Sequence, residues 1–150
     1  MALGREAIYS ALYNLLSGKL LAPAGPFVTV SRRLQDAASL TDSAQPALFL
    51  NEIGERYEDP LLGGPPKVTL LAQLFIYAMC DYQSDTPATD INNLMDSIED
   101  AMTPLPALGV LTLGDLVQHA WIEGRITDYV TMAQGRQSVS VIEVAMLATH

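Results

Sequence analysis

The segment Lys67–Cys80, KVTLLAQLFIYAMC, limits the possible folds of this 150-residue chain more than any other. It contains no proline or glycine. Apolar side chains occupy both faces of an extended strand, beginning with Val68 and Leu70 on one face and Leu71 and Phe75 on the other. A strand with one solvated face alternates apolar and polar residues, whereas a strand covered on both faces is apolar throughout. The pattern predicts a central strand covered on both sides, although a buried helix can show a similar run.

Turn-forming residues on both sides favour the strand over the helix. Gly63–Pro66 precedes the segment and Asp81–Pro87 follows it, and such clusters are typical of strand ends. A chain of this size can cover one face of a sheet with its own helices, so the second face indicates a partner. The expected contacts on the helix side join Val68, Leu70, Leu74 and Ile76 to Ile8, Leu12, Leu94 and Ile98.

Helical periodicity occurs in two other segments. Apolar residues recur at three- and four-residue spacing in Gly4–Ser17 and in Pro87–Met102. Gly18 is the expected end of the first helix, and Thr86 is the expected N-cap of the second. Shorter alternating segments predict strands, and polar or turn-forming segments predict loops. The strands are Phe27–Arg33, Pro46–Ile53, Val117–Ile126 and Ser138–Ala148, and the loops are Leu34–Gln45, Gly54–Pro66 and Asp128–Gln137.

These elements predict a single α+β domain over residues 1–150. The sheet is expected to be mixed and mostly antiparallel, with about four to five strands and two main helices on one face. A hydrophobic content of 49% can supply the core. The net charge of -9 argues against wrapping nucleic acid, which requires lysine and arginine, but it does not argue against a protein past which DNA slides. No run approaches the ~20 apolar residues of a membrane span.

The histidines and the cysteine do not form a recognisable reactive group. His119 and His150 are the only histidines and Cys80 is the only cysteine. A metal site needs several such ligands to converge, and one cysteine cannot form an internal disulfide. His119 and Cys80 are therefore expected to have structural or interfacial roles.

The acids and glycines likewise match no known chemistry. Asp96, Glu99 and Asp100 lie on the second predicted helix opposite its apolar stripe, which indicates a solvated helix face. Gly63–Pro66 lacks the lysine and the following helix of a phosphate-binding loop. With no Ser–His–Asp arrangement either, the sequence predicts no catalytic, cofactor-binding or metal-binding residue and no cofactor.

Several segments occur together in a recognisable order. An early amphipathic helix and paired short strands are followed by PPKVTLLAQLFIYA, by INNLMDSIEDAM with prolines after it, by TLGDLVQHAWIEG and by a closing VIEVAML. In this order they resemble the tail terminator proteins of long-tailed bacteriophages, over about Arg5 to Leu147. The most specific parts are Ile91–Met102 with Pro104, Leu113–Gly124 and the final strand.

The resemblance implies a structural protein of the virion, assembled in the host cytoplasm and located at the head–tail junction. Its subunits would form a hexameric ring that caps the tail tube, ends its growth and binds the head-side connector. DNA would pass through the lumen without specific binding. Two alternatives remain: another head–tail joining or tail-completion protein, and a small acidic ligand-binding domain or enzyme.

Two sets of contact residues follow from combining the pattern with the resemblance. The second face of the long strand, carrying Leu71, Phe75 and Tyr77, is expected at or near the subunit interface. Exposed loops often contact partners, so the loop Gly54–Pro66 is expected to contact the tube protein or the connector. Its contact residues would be Arg56, Tyr57, Leu61 and Leu62.

Overall fold

The computed structural model describes residues 3–58, 64, 66–80, 85, 86, 88–104, 109–130 and 137–149, with the backbone alone at 37 and 127–130. Within these ranges the chain forms a five-stranded mixed sheet with two α-helices, which confirms the predicted α+β fold. The helices are α1 (Arg5–Leu20) and α2 (Thr89–Ala101), and the strands are β1 (Thr29–Ser31), β2 (Ala47–Glu58), β3 (Lys67–Met79), β4 (His119–Val130) and β5 (Gln137–Thr149). The strand order is β1-β2-β3-β5-β4, and only β1 and β2 run parallel.

The predicted long strand is confirmed as the centre of the sheet. β3 pairs antiparallel with β2 on one side and with β5 on the other, over its whole length. Thirteen consecutive residues without a helix breaker could also have formed a helix. As a strand, β3 pairs its backbone N–H and C=O groups with neighbours on both sides and buries its alternate residues in the helix-side core.

The helix-side core contains the contacts that the sequence predicts. Val68, Leu70, Leu74 and Ile76 are completely buried in one cluster that also contains residues of both helices. Burying each of these side chains stabilises the folded state by roughly 1.5–3 kcal/mol. The helix residues in this cluster include the expected Ile8, Leu12, Leu94 and Ile98.

Several predicted boundaries are wrong, and the sheet is more extensive than expected. α1 continues past Gly18 to Leu20, because the Leu20 side chain is buried in the core and holds the last turn. α2 begins at Thr89 with Ala88 rather than Thr86 in the N-cap position. Only Thr29–Ser31 of the first predicted strand pairs in the sheet. The predicted loop Leu34–Gln45 instead contains two 3-10 turns, Ala37–Ser39 and Asp42–Ala44.

β2 and β4 both extend beyond their predicted ends through a β-bulge. Ile53 is the extra residue in β2 and Glu123 is the extra residue in β4. In each strand a glycine follows directly, Gly54 in one and Gly124 in the other. Glycine inside a strand is typical of bulges. β2 therefore continues to Glu58, and the first part of the predicted loop Gly54–Pro66 is strand.

Ion pairs connect the start of α1 to the strands beneath it. The Arg5 guanidinium binds the Glu55 carboxylate and also donates to the Tyr57 hydroxyl. Arg32, just after β1, pairs with Glu6 of α1 and with Glu52 of β2. Arg32, followed by the Ser10 hydroxyl, holds the pKa of Glu6 below its usual value. Because one partner of each pair is at least 42% exposed, the contribution of these ion pairs to stability is modest.

A buried tyrosine in α1 makes stability depend on alkaline pH. Tyr9 donates its hydroxyl proton to the carbonyl of Leu71 (3.3 Å), and burial, with Glu52 and Glu55 nearby, raises its pKa to about 12. An unfolded tyrosine ionises near pH 10, so between pH 10 and 12 only the unfolded state gains from losing the proton. We expect stability from this group to be intact below pH 10 and lost as the pH rises to 12.

Urea unfolding of the wild type and of Tyr9→Phe at several pH values measures this loss. The wild type should lose more stability than the variant over that range. Tyr77, whose pKa is also raised by burial, should cause a residual loss in both proteins. If the free energy of unfolding falls equally with pH in the two proteins, Tyr9 is not the cause of the alkaline loss of stability.

Candidate interaction surface

The face of the sheet turned away from the helices, called the outer face here, carries the residues that the sequence associates with a partner. Cross-strand pairing places Phe49 of β2, Phe75 of β3, Val141 of β5 and Ile126 of β4 in one continuous row. Directly opposed apolar side chains stabilise a sheet. This row crosses four strands, so it defines the centre of the outer face.

One end of this row is covered by the chain itself. Phe49 is 0% exposed and forms a small second core with Leu40, Ala47 and Tyr77. The rings of Phe49 and Tyr77 are tilted by 57°, with centroids 5.7 Å apart. The segment that supplies Leu40 lies between β1 and β2, so it covers only the β2 side of the outer face.

The other end of the row is open to solvent. Phe75 and Val141 are half-buried, and Ile126 is 73% exposed. Val139, beside Tyr77 on β5, is also half-buried. Contiguous apolar surface of this kind is typical of an interaction site rather than of isolated exposed residues.

A row of polar side chains lies directly beside the apolar row on the outer face. Asn51, Gln73 and Glu143 form the adjacent row across β2, β3 and β5. Beyond it, Arg56 of β2 reaches Glu123 of β4, with 3.6 Å between nitrogen and oxygen. Two strands lie between them, a separation of roughly 14 Å at ordinary strand spacing. The sheet therefore curls toward its outer face, and the two bulged strands approach each other there.

The predicted interface residues lie on this face but differ in exposure. Leu71 and Phe75 are half-buried, so part of each remains available to a partner. Tyr77 is only 6% exposed because Leu40 and Phe49 already surround it within this chain. Little of Tyr77 is left for another subunit. The role of these residues at a subunit interface stays a prediction.

The predicted contact loop is not a single loop. Arg56 and Tyr57 both belong to β2, and their placement in a loop was wrong. Arg56 lies on the outer face, whereas Tyr57, 62% exposed, contacts Arg5 on the helix side. Leu61 and Leu62 lie outside the described residues. Contact of these residues with a tube protein or connector stays a prediction.

His119 has a structural environment. Its Nδ1 accepts the backbone N–H of Leu111 (3.1 Å), and its ring stacks on Trp121 with centroids 5.4 Å apart. These contacts anchor the segment that leads into β4. In the described part of the chain, no three His, Cys, Asp or Glu side chains come together as metal ligands. The acids of α2, Asp96, Glu99 and Asp100, are exposed as expected.

Sequence reasoning missed Ile126 as a contact residue. Ile126 was predicted only as the last residue of the strand Val117–Ile126, and uninterrupted alternation would place it on the same face as Ile122. The extra residue at Glu123 reverses the alternation, so Ile126 joins the outer face. Gly124 was the available signal, since glycine within an alternating segment indicates a bulge.

Comparison with known proteins adds no family assignment. No protein-family model matches the chain, and no curated protein is detectably similar to it. None of the described helices is both long and apolar enough to cross a bilayer. The geometry therefore defines a class only: an α+β domain with a partly uncovered, curled sheet face.

Proposed function

We propose that this chain is a structural subunit of a bacteriophage tail, a tail terminator without enzymatic activity. Its copies associate head-to-tail into a hexameric ring at the head–tail junction, after assembly in the host cytoplasm. The ring caps the tail tube, ends its growth and binds the head-side connector. The ring size and the partners come from the sequence resemblance, and the surface described above supports the association.

The supporting observation is the distribution of exposed apolar side chains. Three of them, the β1 group, lie next to the edge strand β1, and three others, the β4 group, lie on or next to the opposite edge strand β4. The β1 group is Leu21, Val28 and Leu34, and the β4 group is Val110, Leu116 and Ile126.

Two different apolar surfaces at opposite edges suit a ring. A head-to-tail contact joins one surface of a subunit to a different surface of the next, and it closes when the rotation divides a full turn. A two-fold dimer needs only one self-complementary surface. The β1 group and the β4 group provide the two different surfaces that a head-to-tail contact needs.

The charge of the chain agrees with a ring through which DNA moves. The net charge is -9. Of the seven described Lys and Arg, five bind side chains or carbonyls within the chain, and Arg33 and Lys67 have no side-chain partner among the described residues. The five are Arg5, Lys19, Arg32, Arg56 and Arg125. Phosphate binding needs free cations. DNA would therefore pass such a ring without being held.

Two charged substitutions test the head-to-tail contact. Val28→Asp changes the β1 group and Ile126→Asp changes the β4 group. A buried aspartate has no partner in an apolar contact, so each variant should cap tail tubes at least about tenfold less often than wild type. Ile53→Asp, at an exposed apolar residue in neither group, is the matched control and should cap normally.

A mixture of the two variants separates a ring from a dimer. Each variant retains one intact surface, so an equimolar mixture should form pairs but no closed rings. Mass photometry measures the species, and negative-stain images of tubes with added protein show the caps. Monomers that never bind a tube would contradict the proposal. Rings that bind the connector but not the tube would instead favour another head–tail joining protein.

A further inference from the structure

A cleft of about 500 Å³ lies between the second half of α2 and the start of β4. It is on the edge of the sheet that carries the β4 group. Its lining residues combine thioether, aromatic and acidic groups: Met95, Glu99, Met102, His119, Trp121 and Ile122.

The charge at this cleft is negative. Glu99 is exposed, and the described part of the chain offers its carboxylate no hydrogen bond or ion pair. The cleft also faces the end of α2, where the helix dipole is negative and the last turn contains no basic residue. One cation is close: Lys19 of α1 donates to the carbonyl of Ala101 at 3.5 Å. It contacts the helix end but not the Glu99 carboxylate.

The α2 wall suits the stem of an arginine. Met95 is half-buried and Met102 is buried, and thioether side chains adapt to irregular occupants. The strand register places the side chains of His119 and Trp121 on the outer face, so Ile122 is the strand residue that faces α2 across the cleft. A guanidinium group pairs with a carboxylate through two parallel hydrogen bonds.

The opposite edge of the same chain presents a matching side chain. Arg33 is the second residue after β1 and is exposed, and its side chain has no hydrogen-bond or ion-pair partner among the residues that the structure describes. Its nearest sequence neighbours include Leu34, a member of the β1 group. Arg32, by contrast, is engaged by Glu6 and Glu52.

We propose that Arg33 of one copy enters this cleft on the next copy and pairs with Glu99, while Leu34 packs against the β4 group. The occupant is thus a second copy of this chain. This contact rests on the head-to-tail ring proposed above and gives that ring a defined charge pair at each subunit boundary. It also explains why the cleft is lined by an acid whose carboxylate has no partner among the described residues.

Charge reversal tests the contact. Arg33→Glu and Glu99→Arg should each weaken ring formation about tenfold or more, since like charges then meet in the cleft. The protein carrying both changes should form rings within about threefold of wild type, because every boundary regains an opposite pair. Association is measured by mass photometry over a dilution series, in the presence of tail tubes where the free chain is monomeric.

Matched controls exclude general charge effects. Lys67→Glu removes another exposed cation that has no partner in the described part of the chain, and Asp96→Arg changes an exposed acid of α2 outside the cleft. Both should associate within about twofold of wild type, and thermal unfolding should confirm that all variants fold.

The results distinguish this contact from the ring itself. If wild type forms rings and the single reversals form them equally well, the Arg33–Glu99 contact is wrong while the ring stands. If wild type neither forms rings nor caps tubes, the ring and the contact both fail. Weakening without recovery in the double variant would also overturn the pairing.

Discussion

Replacing Leu74 by alanine should lower the free energy of unfolding by about 2–5 kcal/mol. Leu74 lies in the middle of β3, is 0% exposed and belongs to the core beneath both helices. The substitution removes apolar contacts and leaves a cavity that the paired strands on either side cannot close. Because a domain of this kind is stable by only roughly 5–15 kcal/mol, the change should be visible as a large shift in the urea midpoint.

Leu71→Ala is the matched control, three residues away on the other face of the same strand. Leu71 is half-buried on the outer face, so the loss in the isolated chain should stay below about 2 kcal/mol. Equal losses for the two variants in the monomer would contradict the assignment of the core to the helix side. A loss at Leu71 that appears only in the assembled ring would support its predicted place at the interface.

Replacing Gly25 by alanine should destabilise the chain by about 3 kcal/mol or more. An added Cβ would overlap the backbone Cα, carbon and oxygen of Leu20, far inside van der Waals contact. That backbone cannot shift easily, because the Leu20 side chain is buried and its carbonyl accepts the N–H of Phe27 at 2.9 Å. The turn that leads from α1 to β1 would have to open.

Gly18→Ala provides a control of opposite sign, seven residues earlier. Gly18 lies within α1, and no atom occupies the space that its Cβ would enter. Alanine is a better helix former than glycine, so this change should stabilise the chain by about 0.5–1 kcal/mol. Thermal and urea unfolding of the two variants measure both effects. A Gly25→Ala protein as stable as wild type would show that the turn is not close-packed.

The centre of the fold was predictable because a single local pattern determines it. Lys67–Met79 is apolar on both faces and lies between turn-forming segments, a combination that favours a central strand over a buried helix. The helix stripes, which include Leu12 and Ile98, were likewise predictable from spacing alone, and they meet β3 where expected. In these segments local preference and tertiary packing agree.

The two bulges could not be placed from alternation. Gly54 was taken as the start of a loop, but β2 continues because residues 54–58 find partners on β3. At Glu123 the extra residue transfers Ile126 to the outer face. A bulge changes the period of the pattern by one residue, and single-sequence periodicity has no independent measure of where that change occurs.

The sequence pattern also could not show which part of the outer face is covered by the chain itself. The segment Leu34–Gln45 is mostly polar or small, which indicates a loop, yet its Leu40 buries Phe49 and Tyr77. One apolar residue among polar neighbours has no periodicity to signal where it packs. The predicted interface residues do share the outer face, but the prediction did not distinguish the buried end of that face at Tyr77 from its open end at Ile126.

The position of β5 has a consequence for synthesis on the ribosome. β5 follows β4 along the sequence, yet it lies inside the sheet between β3 and β4. Until residues 137–149 have been synthesised, the 13-residue strand β3 lacks one of its two neighbours, and its open edge carries unpaired backbone groups among apolar side chains. Such edges recruit other chains. We expect nascent chains that stop before residue 137 to aggregate or to be retained by chaperones, so the domain acquires its fold in one late step.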